Sequence, residues 1–310
     1  MSEAIKKLIL LSFFSLTFYV FGIMVMIHNF YYPKLPFVHE HFSEYVGGFT
    51  SKMAVWLNIP VLMLLLSTIA LLRFIPNVFP RFLVWGALIL TILFTAINFF
   101  AVFPMYHELQ QTGFNAVTLD RLRTVSLFLQ VLPMGLLCLI SIRLMDIYLE
   151  ETKSFIRWLF ILFFSLVFYG LGVNMVESSF YTIWHWVGPN DWLAYRKSEG
   201  SFLVFIIIYL LPGILLIFFT IPMLIKWRPR GVSFILVLIF LLCWVWVAYL
   251  SATYFVPKIQ IPLDSAYSEQ LISDIVSRNI ERYWASILGN IVTALMFLQI
   301  DNRRIDTFQK

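Results

Sequence analysis

The sequence predicts an all-α integral membrane protein: eight transmembrane helices as two tandem, parallel-oriented four-helix bundles. Three observations predict it: the balance of apolar to charged residues, the recurrence of membrane-length apolar runs, and a long internal repeat. Hydrophobic residues make up 61% of the 310 and charged residues 13%, against about 45–50% and about 25% in soluble domains. Runs of roughly 20 residues, enough to cross a hydrocarbon core of about 30 Å as helix, fall at 8–27, 54–72, 82–103, 125–142, 158–176, 202–225, 232–255 and 284–300. No stretch remains for a soluble domain.

The repeat organises these runs. Phe18-Tyr19-x-x-Gly22 recurs 150 residues on as Phe168-Tyr169-x-x-Gly172, and Phe30-Tyr31 as Phe180-Tyr181. Pro60 then pairs with Pro212, Pro104 with Pro257 and Arg143 with Arg303, at offsets growing from 152 to 160 as small insertions would make them. An even number of helices per unit inserts both copies in the same orientation, so the repeats are parallel. The polar linker from Asp146 to Phe155 sets the boundary, giving units 1–150 and 151–310.

Taken in order, the first run follows Lys6 and Lys7 as a signal peptide would. It exceeds an h-region of about 7–15 residues and precedes no small-x-small cleavage site, so it reads as a retained helix. It ends at His28-Asn29-Phe30-Tyr31-Tyr32-Pro33, and an aromatic loop leads to a second helix that Pro60 opens; Pro212 does the same in the second unit. The turns Arg73–Arg81 and Lys226–Arg230 are brief and basic, whereas the loops 28–52, 104–123, 178–201 and 256–282 are long and rich in aromatic and titratable residues. Function concentrates in such loops. Tyr31, Trp184 and Trp186 belong to aromatic clusters that read either as an interfacial belt or as the wall of a binding pocket.

Charge sets the orientation. The side holding the termini carries thirteen Lys and Arg against six Asp and Glu, a balance of +7; the other side carries nine against eleven, a balance of −2. The positive-inside rule therefore places both termini in the cytoplasm of a plasma membrane of the bacterial inner-membrane kind. The basic total reflects membrane anchoring and argues for no nucleic-acid partner. All five histidines, His28, His39, His41, His107 and His185, fall on the non-cytoplasmic side. Cys138 and Cys243 lie inside apolar runs and read as inert buried thiols.

Few polar residues interrupt the spans, and each needs a bundle partner or a cavity. Asn58 and Asn98 are candidate ligand-binding amides, while Gln130 and Asn290, 160 apart, read as helix-to-helix hydrogen bonders. Glu177 ends the fifth run beside the position equivalent to His28, so both units place an ionisable group at the same level. His28, His107 and Glu177 are the candidate catalytic, proton-handling residues. His28, His39, His41 and His107 also supply enough imidazole for a zinc, copper or non-haem iron site in the first unit. Haem is not expected, because axial histidines are needed within the helices of each half and the second has only His185, in a loop.

Each unit resembles the four-helix membrane family of otherwise unknown function that includes the fungal anthrone oxygenases. The carriers are Val176-Glu177-Ser178 at the end of a first helix, Phe103-Pro104-Met105 and Val256-Pro257-Lys258 at the end of a third, and Arg121 to Arg123 and Arg282-Tyr283-Trp284 before a fourth. The family's Asn after the third-helix Pro is replaced by Tyr106-His107 and Ile259-Gln260. The resemblance implies oxidation of an aromatic or polyketide-like molecule by oxygen. Three functional classes stay open on the sequence. One is an oxidoreductase acting on a hydrophobic aromatic or lipid-like molecule in an outward-facing pocket. The others are a binding or transport protein for a small apolar solute, and a structural subunit packed on a membrane partner or on a second copy of itself.

Overall fold

The computed structural model describes residues 3–74, 79–198 and 206–300, and every regular element among them is helical. Among the described residues, seven helical rods are long and apolar enough to cross a membrane. They are α1 (Ala4–Phe37), α2 (Phe42–Phe74), α3 (Arg81–Thr112), α4 (Ala116–Tyr148), α5 (Ser154–Trp186) and, after a short helix α6 (Pro189–Lys197), α7 (Ile206–Ile225) and α8 (Phe234–Ser265). The eighth predicted span lies within α9 (Glu269–Gln299), a helix of 31 residues. Its first half is charged and its second half is interrupted by Ser286 and Asn290, so it does not join the seven on composition.

Six of the rods run 32 to 34 residues, about 50 Å at 1.5 Å per residue and well beyond a core of about 30 Å. The expected loop at 28–52 is therefore mostly helix, with Val38–His41 as the link, and that at 104–123 is helix apart from Gly113–Asn115. These extensions form a helical headpiece at the end remote from Glu3 and Ile300. At the near end, Lys7 Nζ donates to Ile300 O at 3.0 Å.

Pro60 and Pro212 do not open helices; they sit inside them. A π turn precedes each, Ala54–Asn58 before Pro60 and Ile206–Leu210 before Pro212. The same pairing recurs at Ile27–Tyr31 before Pro33, Asn98–Val102 before Pro104 and Ser126–Val131 before Pro133. A proline has no N–H and its ring crowds the carbonyl four residues back, so the turn widens. Trp56 and Ile208 are those carbonyls for Pro60 and Pro212. Tyr19 and Tyr169 donate their hydroxyls to them, at 2.9 and 3.1 Å.

The repeated Phe-Tyr-x-x-Gly motif thereby gains a physical reason. Its Tyr serves a carbonyl that proline cannot, and its Gly lets α1 and α5 touch backbone to backbone. A methyl group on Gly22 would lie 2.2 Å from the Tyr169 carbonyl oxygen, and one on Gly172 2.1 Å from that of Tyr19. Residues one repeat, 150 positions, apart also meet: the hydroxyls of Tyr45 and Tyr195 at 2.9 Å, and Asn190 with the Glu40 carboxylate.

The headpiece aromatics are core, which overturns the belt reading for most of them. Tyr31, Tyr45, Phe49, Trp184, Trp192 and Tyr195 are all buried. Trp192 Nε1 donates to Leu263 O at 2.6 Å, Arg196 pairs with Asp264, and the Arg196 guanidinium lies 5.0 Å over the Trp184 ring. Charged side chains are thus used to tie α6 to the end of α8.

Candidate functional site

The described part of the first half packs a dense core of aromatic rings and amides. Tyr31 stacks on Phe49 at 3.6 Å and on Phe180 at 6.1 Å, and its hydroxyl is buried without a partner. Tyr106 donates to Tyr32 at 3.0 Å. Below them three π turns deliver three amides to one place, where Asn98 Nδ2 donates to Asn58 Oδ1 at 2.8 Å and Gln130 Nε2 to Asn98 Oδ1 at 3.2 Å. Asn58 and Asn98 therefore spend their polarity on each other and on Gln130 as a bridge between α2, α3 and α4, which accounts for them without a ligand. Asn290 departs from its expected role, since its Nδ2 bonds to Ser286 O of its own helix at 2.8 Å.

The histidines do not converge. His28 sits edge-on to Tyr32, with Nδ1 buried and unpartnered. His39 Nδ1 meets Asp191 Oδ1 at 2.8 Å, and the His41 ring leans on Trp186 at 6.0 Å. His107 bonds to Gln111 at 2.9 Å on an open surface groove that Trp186 also lines. Among the described residues no group of three or more His, Cys, Asp or Glu side chains is placed to hold a metal ion. Nor does any hydrogen bond or ring contact join His28 to His107. The expected first-unit metal site is therefore not supported: each ring is held in a different neighbourhood by a different partner. Trp184, the other expected aromatic wall, packs on Tyr181 and Trp192 inside the headpiece.

The C-terminal half encloses a cavity of about 230 Å³ among α5, α7, α8 and α9, walled by Tyr169, Val173, Ile208, Trp244 and Val247. Leu210, Ile214 and Ile217 form its outer wall and are themselves 39 to 45% exposed, so the cavity borders the lipid-facing surface.

Polar groups crowd the headpiece end of the cavity. Arg282 is buried, 4.6 Å over the Phe255 ring, and pairs with Glu177 at 3.4 Å, while Tyr181 donates to the other Glu177 oxygen. Asn279 Nδ2 reaches Ser178 Oγ and Asn174 Nδ2 reaches Ser286 Oγ, both at 3.3 Å. A buried cation is tolerated in such a place only beside its counter-charge. Of the predicted catalytic residues, Glu177 lies beside Arg282 and Asn279 in a small pocket next to this cavity, and His107 lines the surface groove. Arg282, Asn279, Ser286 and Trp244 escaped notice as site residues. Their signal was positional: Asn279, Arg282, Ser286 and Asn290 recur at spacings of three and four, one face of a helix, opposite Asn174, Glu177 and Ser178 on α5. Comparison with protein-family models, with curated proteins and with solved structures returns no match.

Proposed function

We propose that the chain is a membrane-embedded binding protein for a hydrophobic, lipid-like or aromatic small molecule, which enters the second unit sideways from the bilayer. In this reading α9 is the eighth span and the two four-helix units are tandem, parallel copies with cytoplasmic termini. The reciprocal contacts of Gly22 with Tyr169 and of Gly172 with Tyr19, and the contact of Tyr45 with Tyr195, support that arrangement, and the charge asymmetry supports the orientation. The site then faces the outer leaflet of a plasma membrane. The observation that carries the function is an apolar cavity of about 230 Å³, walled on one side by lipid-exposed residues, with Arg282, the partner of Glu177, in its lining. Pockets for small molecules have this composition: an apolar lining with a few placed polar groups.

The test uses native mass spectrometry of the full chain in mild detergent with dodecyl methyl ether, an apolar probe. The parent retains one probe molecule. Gly170→Leu and Gly213→Leu, whose new side chains start in open space at the cavity wall, lose it. Absence of a bound probe on the parent, or equal retention by the filled variants, rejects the reading.

A further inference from the structure

The cavity continues into a niche of about 20 Å³ that shares Gly170, Asn174, Trp244 and Val247 with it. A single water-sized group needs roughly 10–15 Å³, so the niche has room for one oxygen atom. Two polar atoms of its lining are buried with no partner, Trp244 Nε1 and Asn290 Oδ1. The Asn290 amide orientation is set by its neighbour. Its Nδ2 donates to Ser286 O, and turning the amide over would press Oδ1 against that carbonyl. Asn290 as a whole is 9% exposed. One unpartnered donor and one unpartnered acceptor therefore belong to the lining, beside Asn174 and the Ser286 hydroxyl that it donates to.

We propose that this niche binds the hydroxyl of a neutral alcohol or phenol whose apolar body fills the larger cavity. The inference rests on the binding reading above and narrows its ligand class. The hydroxyl oxygen accepts from Trp244 Nε1–H and its proton goes to Asn290 Oδ1, the combination a single O–H group supplies. A carboxylate has no proton for Asn290, and no charged residue lines the niche to balance it. An ether accepts from Trp244 but leaves Asn290 unpaired. Arg282 stands eight residues earlier in α9, about 12 Å along the helix, so the ion pair marks the headpiece end and the niche the deep end of one elongated site.

The experiment compares 1-dodecanol, dodecyl methyl ether and dodecanoic acid on the full chain in mild detergent, scored by native mass spectrometry. The alcohol is expected to bind on the order of tenfold more tightly than the ether, the usual worth of one satisfied buried acceptor, and the acid more weakly than either. Trp244→Phe and Asn290→Leu each remove the preference for the alcohol while ether binding persists, which also shows that the variants fold. Equal binding of alcohol and ether by the parent overturns the hydroxyl assignment and leaves the apolar-pocket reading standing; the niche then holds only water. Tightest binding of the acid overturns it in favour of recognition at Arg282. Binding of none of the three overturns both readings.

Discussion

Replacing Gly22 by Ala tests the contact on which the whole arrangement turns. The added carbon would sit 2.2 Å from the backbone oxygen of Tyr169, whereas ordinary contacts of this kind begin near 3.4 Å. Neither atom belongs to a flexible side chain, so α1 and α5 have to part locally by roughly 1 Å, a gap that forfeits a quarter to a half of each dispersion contact along the seam. Overpacking of a tight core costs about 1–3 kcal/mol, and the backbone origin of this clash puts Gly22→Ala at about 3 kcal/mol. Gly172→Ala meets the Tyr19 oxygen at 2.1 Å, and its cost is the same within error. The double variant costs clearly less than the sum, because separation forced by one methyl accommodates the other. Gly170→Ala, with nothing within 4 Å of the new carbon, is the control and is neutral or slightly stabilising through helix propensity. Denaturant titration of the detergent-solubilised chain, followed by circular dichroism, measures all four. Gly22→Ala within 0.5 kcal/mol of the parent, or full additivity with Gly172→Ala, refutes the reasoning.

Arg282→Met leaves the Glu177 carboxylate without the cation beside it and costs about 3 kcal/mol, at the low end for a broken buried pair; the double variant Glu177→Gln, Arg282→Met recovers most of the loss. A double variant as unstable as the single one in the same titration removes the pair from the account. The headpiece is sensitive to acid at Asp191. Burial pushes its carboxyl upward, but the backbone N–H groups of His39 and Glu40 and the His39 ring outweigh it and hold the group below the usual carboxylate range. A depressed folded value contributes stability that is complete above the unfolded value of about 3.9 and is lost as pH falls through the lowered folded value. Asp191→Asn therefore destabilises at pH 7 and matches the parent at the acid end. An effect that instead grows as pH falls below 4 contradicts this sign.

Tyr19 and Gly22, with their copies Tyr169 and Gly172, show how far a repeat can be read. Their recurrence at one spacing marks them as scaffold before any coordinate is known, and a Pro matched in both copies marks a shared feature of the backbone. What the proline does was not readable. A proline opening a helix and a proline sitting behind a π turn present the same letters, and only the phenol from another helix reaching the freed carbonyl distinguishes them. The histidines misled for a related reason. Composition collects His28, His39, His41 and His107 on one side of a membrane, but a metal needs them within bonding distance of one point. The helices that replace the expected loops carry each ring to a different partner.

The sequence by itself determined the class of molecule, the apolar segments, the charge asymmetry and the long repeat, because solvation by a bilayer acts on composition and periodicity over many residues at once. Only the tertiary structure decided that the first half packs stacked aromatics and a chain of amides while the second encloses an apolar cavity. That difference depends on side chains from four helices meeting or failing to meet, a matter of packing geometry. It puts the proposed site beside Arg282, Trp244 and Asn290, away from His28 and His107.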